Sequence, residues 1–488
     1  MSETHAFNAS SYVRSEMLPP AAPPVSERGA VRWVRENLFS GPVNSVLTVL
    51  SLLAIYMIVS AVLPWLTNSV WNTNSLDECR QVLEGTSGAC FSVITERWTQ
   101  MLYGFYPPEL YWRANTTLLL LFLALLPVLY DGVWRGTTAI VIAAGTFLVS
   151  GWLVWWTHWE DLGAASALFW MAVFAAISVA LTRLELTRRY LLFFTPIFPF
   201  VMVWLVWGGT VWGPVGALLG FVFGYLAFRF LQPVAGTLVA VVAALLVPLL
   251  WWFALDRSFT EAMASVLPLD IRPVDSRQLG GFMISIIIGV SGIALSLPLG
   301  VVLALGRKSN LFIVKTICVG FIEFIRGVPL ITLLFTASVL LNYFLPPGTN
   351  FDIVLRVIIM VTLFAAAYMA ETIRGGLAAL PKGQYEAADS LGLDYWKAQR
   401  LIIMPQALKI SIPGIVNNFI GLFKDTTLVA FIGIYDIMGL TNAIRADTSW
   451  HGIYWELYIF VGLVFFVCCF GMSQYSQYLE QKLRTDHR

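Results

Sequence analysis

Long apolar stretches separated by short polar breaks run through the chain from residue 45 onward. An α-helix needs about 20 apolar residues to cross a hydrocarbon core roughly 30 Å thick. On that measure the pattern predicts twelve spans, near 45–66, 115–131, 136–157, 164–182, 190–207, 211–230, 234–255, 280–305, 312–345, 352–372, 407–432 and 454–475. Residues 1–44 are polar and carry Pro19, Pro20, Pro23, Pro24, Arg14, Arg28, Arg32 and Arg35. That segment is too long and too polar for the n-region of a secretory signal, so the first apolar run reads as a retained anchor.

Composition sharpens this. Of 488 residues, 58% are hydrophobic and only 12% are Asp, Glu, Lys or Arg. A soluble domain carries about a quarter charged residues, so no water-compatible surface can be built and the fold class is an all-α integral membrane protein. A net charge of +1 excludes a strongly basic nucleic-acid binder. The four histidines are far apart and no HExxH, CxxC or GxxxxGK[ST] sequence occurs. The chain therefore lacks the means to hold a catalytic metal or to hydrolyse nucleotide by itself.

Charge fixes the orientation. With residue 1 in the cytoplasm, inner segments collect Arg183, Arg188, Arg189, Arg307, Lys308 and Lys382 among others. Twenty of the thirty cations then lie inside against seven outside, and both termini are cytoplasmic. The largest outer segment is 67–114, and it holds Cys79 and Cys90. An oxidising periplasm would pair these two as a disulfide, whereas a reducing compartment would leave two free thiols. The clusters Trp152, Trp155, Trp156 and Trp251, Trp252 sit near span ends and read as interfacial anchors.

The chain divides into a tail 1–44, accessory spans 45–256, an outer linker 257–279, a module 280–476 and a tail 477–488. Only the module's spans contain Glu323, Arg326, Arg356, Lys424 and Asp425. Because charge inside a membrane is costly, it marks function by default. The module's long inner loop, 373–406, predicts a helix from Lys382 to Leu391 that ends at Gly392, whose conformational freedom suits a C′ position. Asp394 caps a second helix that Pro405 stops. The result is a helix–glycine–helix knuckle with Tyr385, Leu391, Leu393 and Trp396 available to dock in a partner's groove.

Glu386-Ala387-Ala388, Gly392, Ile402 and Pro405 resemble the EAA motif of ABC-importer permeases, with Met404 where Leu is usual. FIEFIRGVPLITLLF at 321–335 and IPGIVNNFIGLFKDTTLVAFIG at 412–433 are similar to permeases of the polar amino-acid uptake family. The likeness covers about 280–488 strongly and the first 279 residues only in layout. It implies a type I ABC-importer transmembrane fold of about five core helices, preceded here by an extra bundle of about seven. It further implies that Tyr385, Glu386, Ala387, Ala388, Gly392, Trp396 and Pro405 couple to a cytoplasmic ATPase dimer. The other implied partners are a second, homologous permease in a heterodimer and a periplasmic amino-acid-binding protein. No cofactor is bound by this chain, since the family's Mg-ATP sits in the ATPase.

Depth arithmetic addresses the charges. Rising about 1.5 Å per residue from Lys315, a helix reaches Arg326 after roughly 16 Å, near mid-membrane, and Gly327 and Pro329 should break it there. Lys424 and Asp425 come at mid-depth or somewhat beyond. Two readings stand. Glu323 and Arg326 pair with each other or across to Lys424 and Asp425, holding helices in register; or the charges face an aqueous route and engage a zwitterion. The pairing reading is favoured for Glu323 and Arg326, and the route for Lys424, Asp425, Thr426 and Thr427. Three alternatives to an amino-acid permease remain on sequence alone. The same architecture could carry an opine or a compatible solute; a secondary transporter needs inverted similarity between halves, which is not evident; a membrane-embedded enzyme needs clustered His or carboxylates.

Overall fold

The computed structural model describes residues 29–129, 172, 185–340 and 352–483. Predicted span 136–157, with Trp152, Trp155 and Trp156, and all of 164–182 but residue 172 lie outside these residues. Among the described residues, eight helices are long and apolar enough to cross a membrane, and a bent pair makes a ninth candidate.

The chain separates into two compact units, residues 1–73 with 77–92, and 74–76 with 93–488. In the first, α1 (Gly29–Asn37) precedes α2 (Pro42–Thr67), which begins on Pro42, where a missing N–H costs nothing. A short α3 (Leu76–Val82) follows, and Cys79 and Cys90 are disulfide-bonded. Phe91 stacks on Trp71 at 4.9 Å and meets Trp65 edge-on at 5.8 Å.

The second unit contains α4 (Ser92–Tyr103), α5 (Tyr111–Leu129), α6 (Glu185–Trp207) and α7 (Trp212–Leu250). Gly236, at φ +82°, breaks α7 into two spans, Trp212–Thr237 and Val239–Val266. Trp251 and Trp252 have a packing role that the sequence pattern does not predict. Their indole N–H groups donate to the carbonyls of Gly216 and Ala217 at 2.9 and 3.1 Å, closing the two spans into a hairpin. The predicted linker opens instead with an amphipathic helix, α8 (Asp256–Val266). It continues through a two-residue ladder pairing β1 (Gly209–Thr210) with β2 (Asp270–Ile271).

The module begins with α9 (Gly281–Arg307), then α10 (Phe312–Gly327), α11 (Leu330–Phe335) and α12 (Ile353–Ala379). In place of one span at 312–345, α10 and the turn after it meet at 103°. The Gly327–Pro329 break was legible in sequence, but its angle was not. α13 (Lys382–Ser390), α14 (Tyr395–Ala398), α15 (Met404–Asp425), α16 (Ile437–Ala446) and α17 (Trp455–Leu483) complete it.

Helices in lipid gain little from burying apolar surface against one another, so close van der Waals packing must hold them. The sequence supplies it with small residues. Ala365, Ala366, Ala367 and Ala370 of α12 are buried, and a Cβ on Gly300 of α9 would come within 2.7 Å of the Met369 Cβ. On its other side α12 meets α15, where a Cβ on Gly376 would lie 2.5 Å from the Ala407 carbonyl oxygen. A large side chain at either glycine forces these helices apart.

Candidate functional site

The loop after α12 folds as a knuckle because its ends are capped in two different ways. At the end of α13, Gly392 takes φ +66°. Its N–H donates to the Asp389 carbonyl at 2.9 Å and the Leu393 N–H to the Ala388 carbonyl at 3.2 Å. That pair of bonds is the Schellman closure, which needs a left-handed residue at this position. Asp394 then accepts from the Lys397 N–H at 2.9 Å and starts α14. This backbone bond lowers the Asp394 carboxyl below its usual range, with Lys397 adding a smaller effect.

Pro405 does not stop the second helix. α14 widens through a π turn at Gln399–Ile403 and runs into α15, with Pro405 in its first turn. Proline lacks an N–H to donate to the preceding turn, and a wider turn there accommodates the missing bond.

Burial sorts the motif residues. Ala388 is buried, while Glu386, Ala387, Gly392 and Pro405 are exposed. Leu391 and Trp396 are 72% and 70% exposed, a large apolar surface on a polar loop. Tyr385 is not free to dock as the sequence suggested. It packs inward on the core around Ile403 and Leu303, its hydroxyl 3.4 Å from Lys308 Nζ, with that ammonium 5.5 Å from its ring centre. Leu393 is half-buried.

Next to Lys308 lies a charge network that the sequence reading missed. Glu371 sits 2.7 Å from Arg307, 3.0 Å from Arg374 and 3.6 Å from Arg326, and its side chain is only 16% exposed. Arg307 also pairs with Glu323 at 2.8 Å. Glu323 and Arg326 thus pair with neither each other nor Lys424 and Asp425. The depth arithmetic failed because α10 is oblique. A helix running straight back along α9 would carry Glu323 roughly 16 Å from the end of α9, yet Glu323 meets Arg307, the last residue of α9. Arg326 shares the level of Glu371, near the loop end of α12, rather than mid-membrane. The signal was available, since Glu371 falls inside predicted span 352–372 with Arg374 one turn later.

At the end of α15, Lys424 is exposed and Asp425 half-buried. Thr426 is fully buried, and its hydroxyl donates to the Phe423 carbonyl at 2.8 Å. It holds the helix end and lines no aqueous route. Thr427 donates to the Lys424 carbonyl at 2.9 Å and stays partly accessible. A polar seam absent from the sequence reading joins α12 to α15, with Asn418 donating to the Thr372 hydroxyl at 2.8 Å and Ser411 to the Thr372 carbonyl at 3.2 Å. Arg356 is buried and donates to the Ser338 carbonyl at 2.9 Å, tying α12 to the turn after the bend.

At the opposite end of the module, α4 is fastened to the loop before α17. Arg97 pairs with Asp447 at 3.0 Å, and the Trp450 indole N–H donates to Glu96. Asp436 is fully buried there and caps α16 through the Gly439 N–H at 2.8 Å. Burial pushes its carboxyl up from 3.8 to about 6 against the lowering effect of backbone N–H groups. Such a group contributes stability that is complete below the unfolded value and is lost as pH rises through the folded one. Asp436→Asn keeps the cap and stays neutral. In thermal unfolding of the purified protein, the variant should therefore lose less midpoint than the natural chain between about pH 4 and 6. Parallel curves would show that Asp436 does not titrate there.

Among the described residues, no cluster of His, Cys, Asp or Glu could hold a metal ion. The family model of the binding-protein-dependent transport system inner membrane component matches residues 296–485. The glutamate/glutamine/aspartate/asparagine transport system permease protein BztC of Rhodobacter capsulatus is 52% identical over 484 residues, covering 98% of this chain and 99% of that one. The inner membrane amino-acid ABC transporter permease protein YhdY of Escherichia coli is 35% identical, covering 96% of each. Among solved structures, the crystal structure of an amino acid ABC transporter with histidines covers 41% of this chain and 92% of its own, at 30% identity and TM-score 0.38.

Proposed function

This chain belongs to the family of binding-protein-dependent transport system inner membrane components, and from that premise we propose that it imports glutamate, glutamine, aspartate and asparagine. It is a permease subunit of an ABC importer for amino acids, a multi-pass protein of the inner membrane and not an enzyme. The cargo is read from the full-length likeness to the Rhodobacter capsulatus permease.

The knuckle carries the mechanical part of this reading. Ala388 and Tyr385 anchor it while Glu386, Ala387, Leu391 and Trp396 face outward. An exposed apolar patch beside a carboxylate suits a groove on an ATPase subunit, and burial of such surface is what drives docking. Residues 280–476 form the permease module, and 373–406 is its coupling loop. ATP binding draws two such loops together, one from this chain and one from a homologous second permease. A periplasmic binding protein delivers the amino acid, and both termini of this chain face the cytoplasm. The accessory region comprises about seven spans.

Lys424, Asp425 and Thr427 line the route, and Arg326 with Glu323 guards its inner end. Lys424 is exposed and forms no ion pair among the described residues, as a cation that meets an α-carboxylate should. Lys424→Ala and Asp425→Asn should each lower uptake of labelled glutamate by tenfold or more, while membrane abundance and co-purification with the ATPase stay normal. A loss of about 1.4 kcal/mol of substrate interaction is one factor of ten. Unchanged uptake removes both residues from the route. Glutamine, aspartate and asparagine should compete with labelled glutamate, and failure of all three to compete would reject the cargo assignment.

A further inference from the structure

A cavity of about 420 Å³ lies between two accessory helices, α5 and α6, and two module helices, α9 and α17. Its lining is almost wholly apolar. On α9 it runs from Phe282 to Val290 and on α17 from Phe460 to Cys468. Each stretch is nine residues, eight rises or about 12 Å of helix. All four helices enter it from the end remote from the coupling loop, since Phe282 is the second residue of α9 and Arg307, beside that loop, is the last. The cavity thus spans most of one leaflet's hydrocarbon, half of a core roughly 30 Å thick.

Its two ends differ. At the outer end the Tyr103 hydroxyl donates to Asn115 Oδ1 at 2.7 Å, and both residues line the cavity with Trp98. Burial raises the Tyr103 phenol to about 12, so it remains a neutral donor. Aromatic and amide groups at this level are what a lipid's ester region meets. On one side the wall is formed by Leu463 and Val467, which are 56% and 58% exposed on the surface of a membrane-spanning helix. That wall therefore borders the cavity and also belongs to the uncovered surface of a membrane-spanning helix. An apolar void in contact with hydrocarbon loses dispersion contacts unless a chain of matching chemistry enters it.

We propose that this cavity is a binding site for one acyl chain of a phospholipid in the leaflet remote from the coupling loop. The ester carbonyl meets Asn115, and the lipid cements the accessory helices to the permease module. The site depends on membrane embedding and is independent of which solute is carried, so its failure would leave the transport assignment standing.

The test uses the full chain in its assembled complex, reconstituted with phosphatidylethanolamine bearing a diazirine in one acyl chain. Light should concentrate label on the peptides that contain Leu121 and Val464. Val464→Trp, which fills the cavity, should lose that label while labelling of α2 is unchanged. Leu118→Trp is a second filling variant should the first fail to assemble. Evenly spread label, or label at Leu121 that survives both substitutions, overturns the site. Cross-linking of the cavity wall to the chain's own residues 130–184 or to a second permease, with no lipid label, would assign the space to protein and overturn it equally.

Discussion

Gly392→Pro should abolish ATP-driven uptake while the chain still reaches the membrane. Proline holds φ near −65°, and Gly392 stands at +66° with its N–H bonded to Asp389. Both the conformation and the donor are lost, so the Schellman closure opens and the exposed pair Leu391 and Trp396 is no longer presented in one rigid shape. A Cβ at residue 392 meets nothing within 4 Å, which isolates the backbone as the cause. Gly392→Ala is thus the graded control. It keeps the N–H and pays only the left-handed penalty, about 1–2 kcal/mol. Its coupled uptake should fall about 5- to 30-fold, the population change that such an energy represents. Uptake by the proline variant within twofold of normal would mean that the knuckle's shape does not transmit force. Co-purification with the ATPase, measured in parallel, separates undocking from docking without transmission.

The second large effect is at Glu371. Glu371→Leu leaves Arg307, Arg326 and Arg374 around a position that no longer carries a carboxylate. Removing one partner of a buried ion pair costs about 3–5 kcal/mol. Arg326 and Arg374 are 35% and 44% exposed, so water compensates in part and the lower end, about 3 kcal/mol, is expected. Glu323→Gln breaks one bond of a carboxylate that is 54% exposed and should cost under about 1 kcal/mol. The contrast appears as a large loss of membrane abundance or unfolding midpoint for Glu371→Leu against a small one for Glu323→Gln. Equal losses would show that Glu371 is not the hub. The network also lies beside Lys308, which touches Tyr385 of the coupling loop. Glu371→Gln also removes the charge, so it should lower uptake and the unfolding midpoint together, by less than Glu371→Leu because its amide oxygen still accepts from the arginines.

What the sequence disclosed was what local rules control. The eight described membrane-length helices, the break at Gly327–Pro329, the Gly392 turn and the Asp394 cap depend on a few adjacent residues, and each lies where the pattern predicts. What it concealed depends on how helices cross. Depth along α10 assumes an upright helix and so places Arg326 at mid-membrane, paired with Glu323 or across to Lys424 and Asp425. Thr426 was grouped with Lys424 by adjacency, although residues next to each other on a helix point in different directions. Proline usually stops a helix, which predicts an end at Pro405, and the π turn before it has no local sequence signal. Glu371 was in plain view inside an apolar span, and an even count of intramembrane charges would have found it.

The central claim is that this chain provides a route but no driving force. Reconstituting the purified chain alone into proteoliposomes, with labelled glutamate outside and Mg-ATP on the coupling-loop side, tests it most directly. No accumulation is predicted until the ATPase, the second permease and the binding protein are all present. Uphill accumulation by the solitary chain would contradict the account.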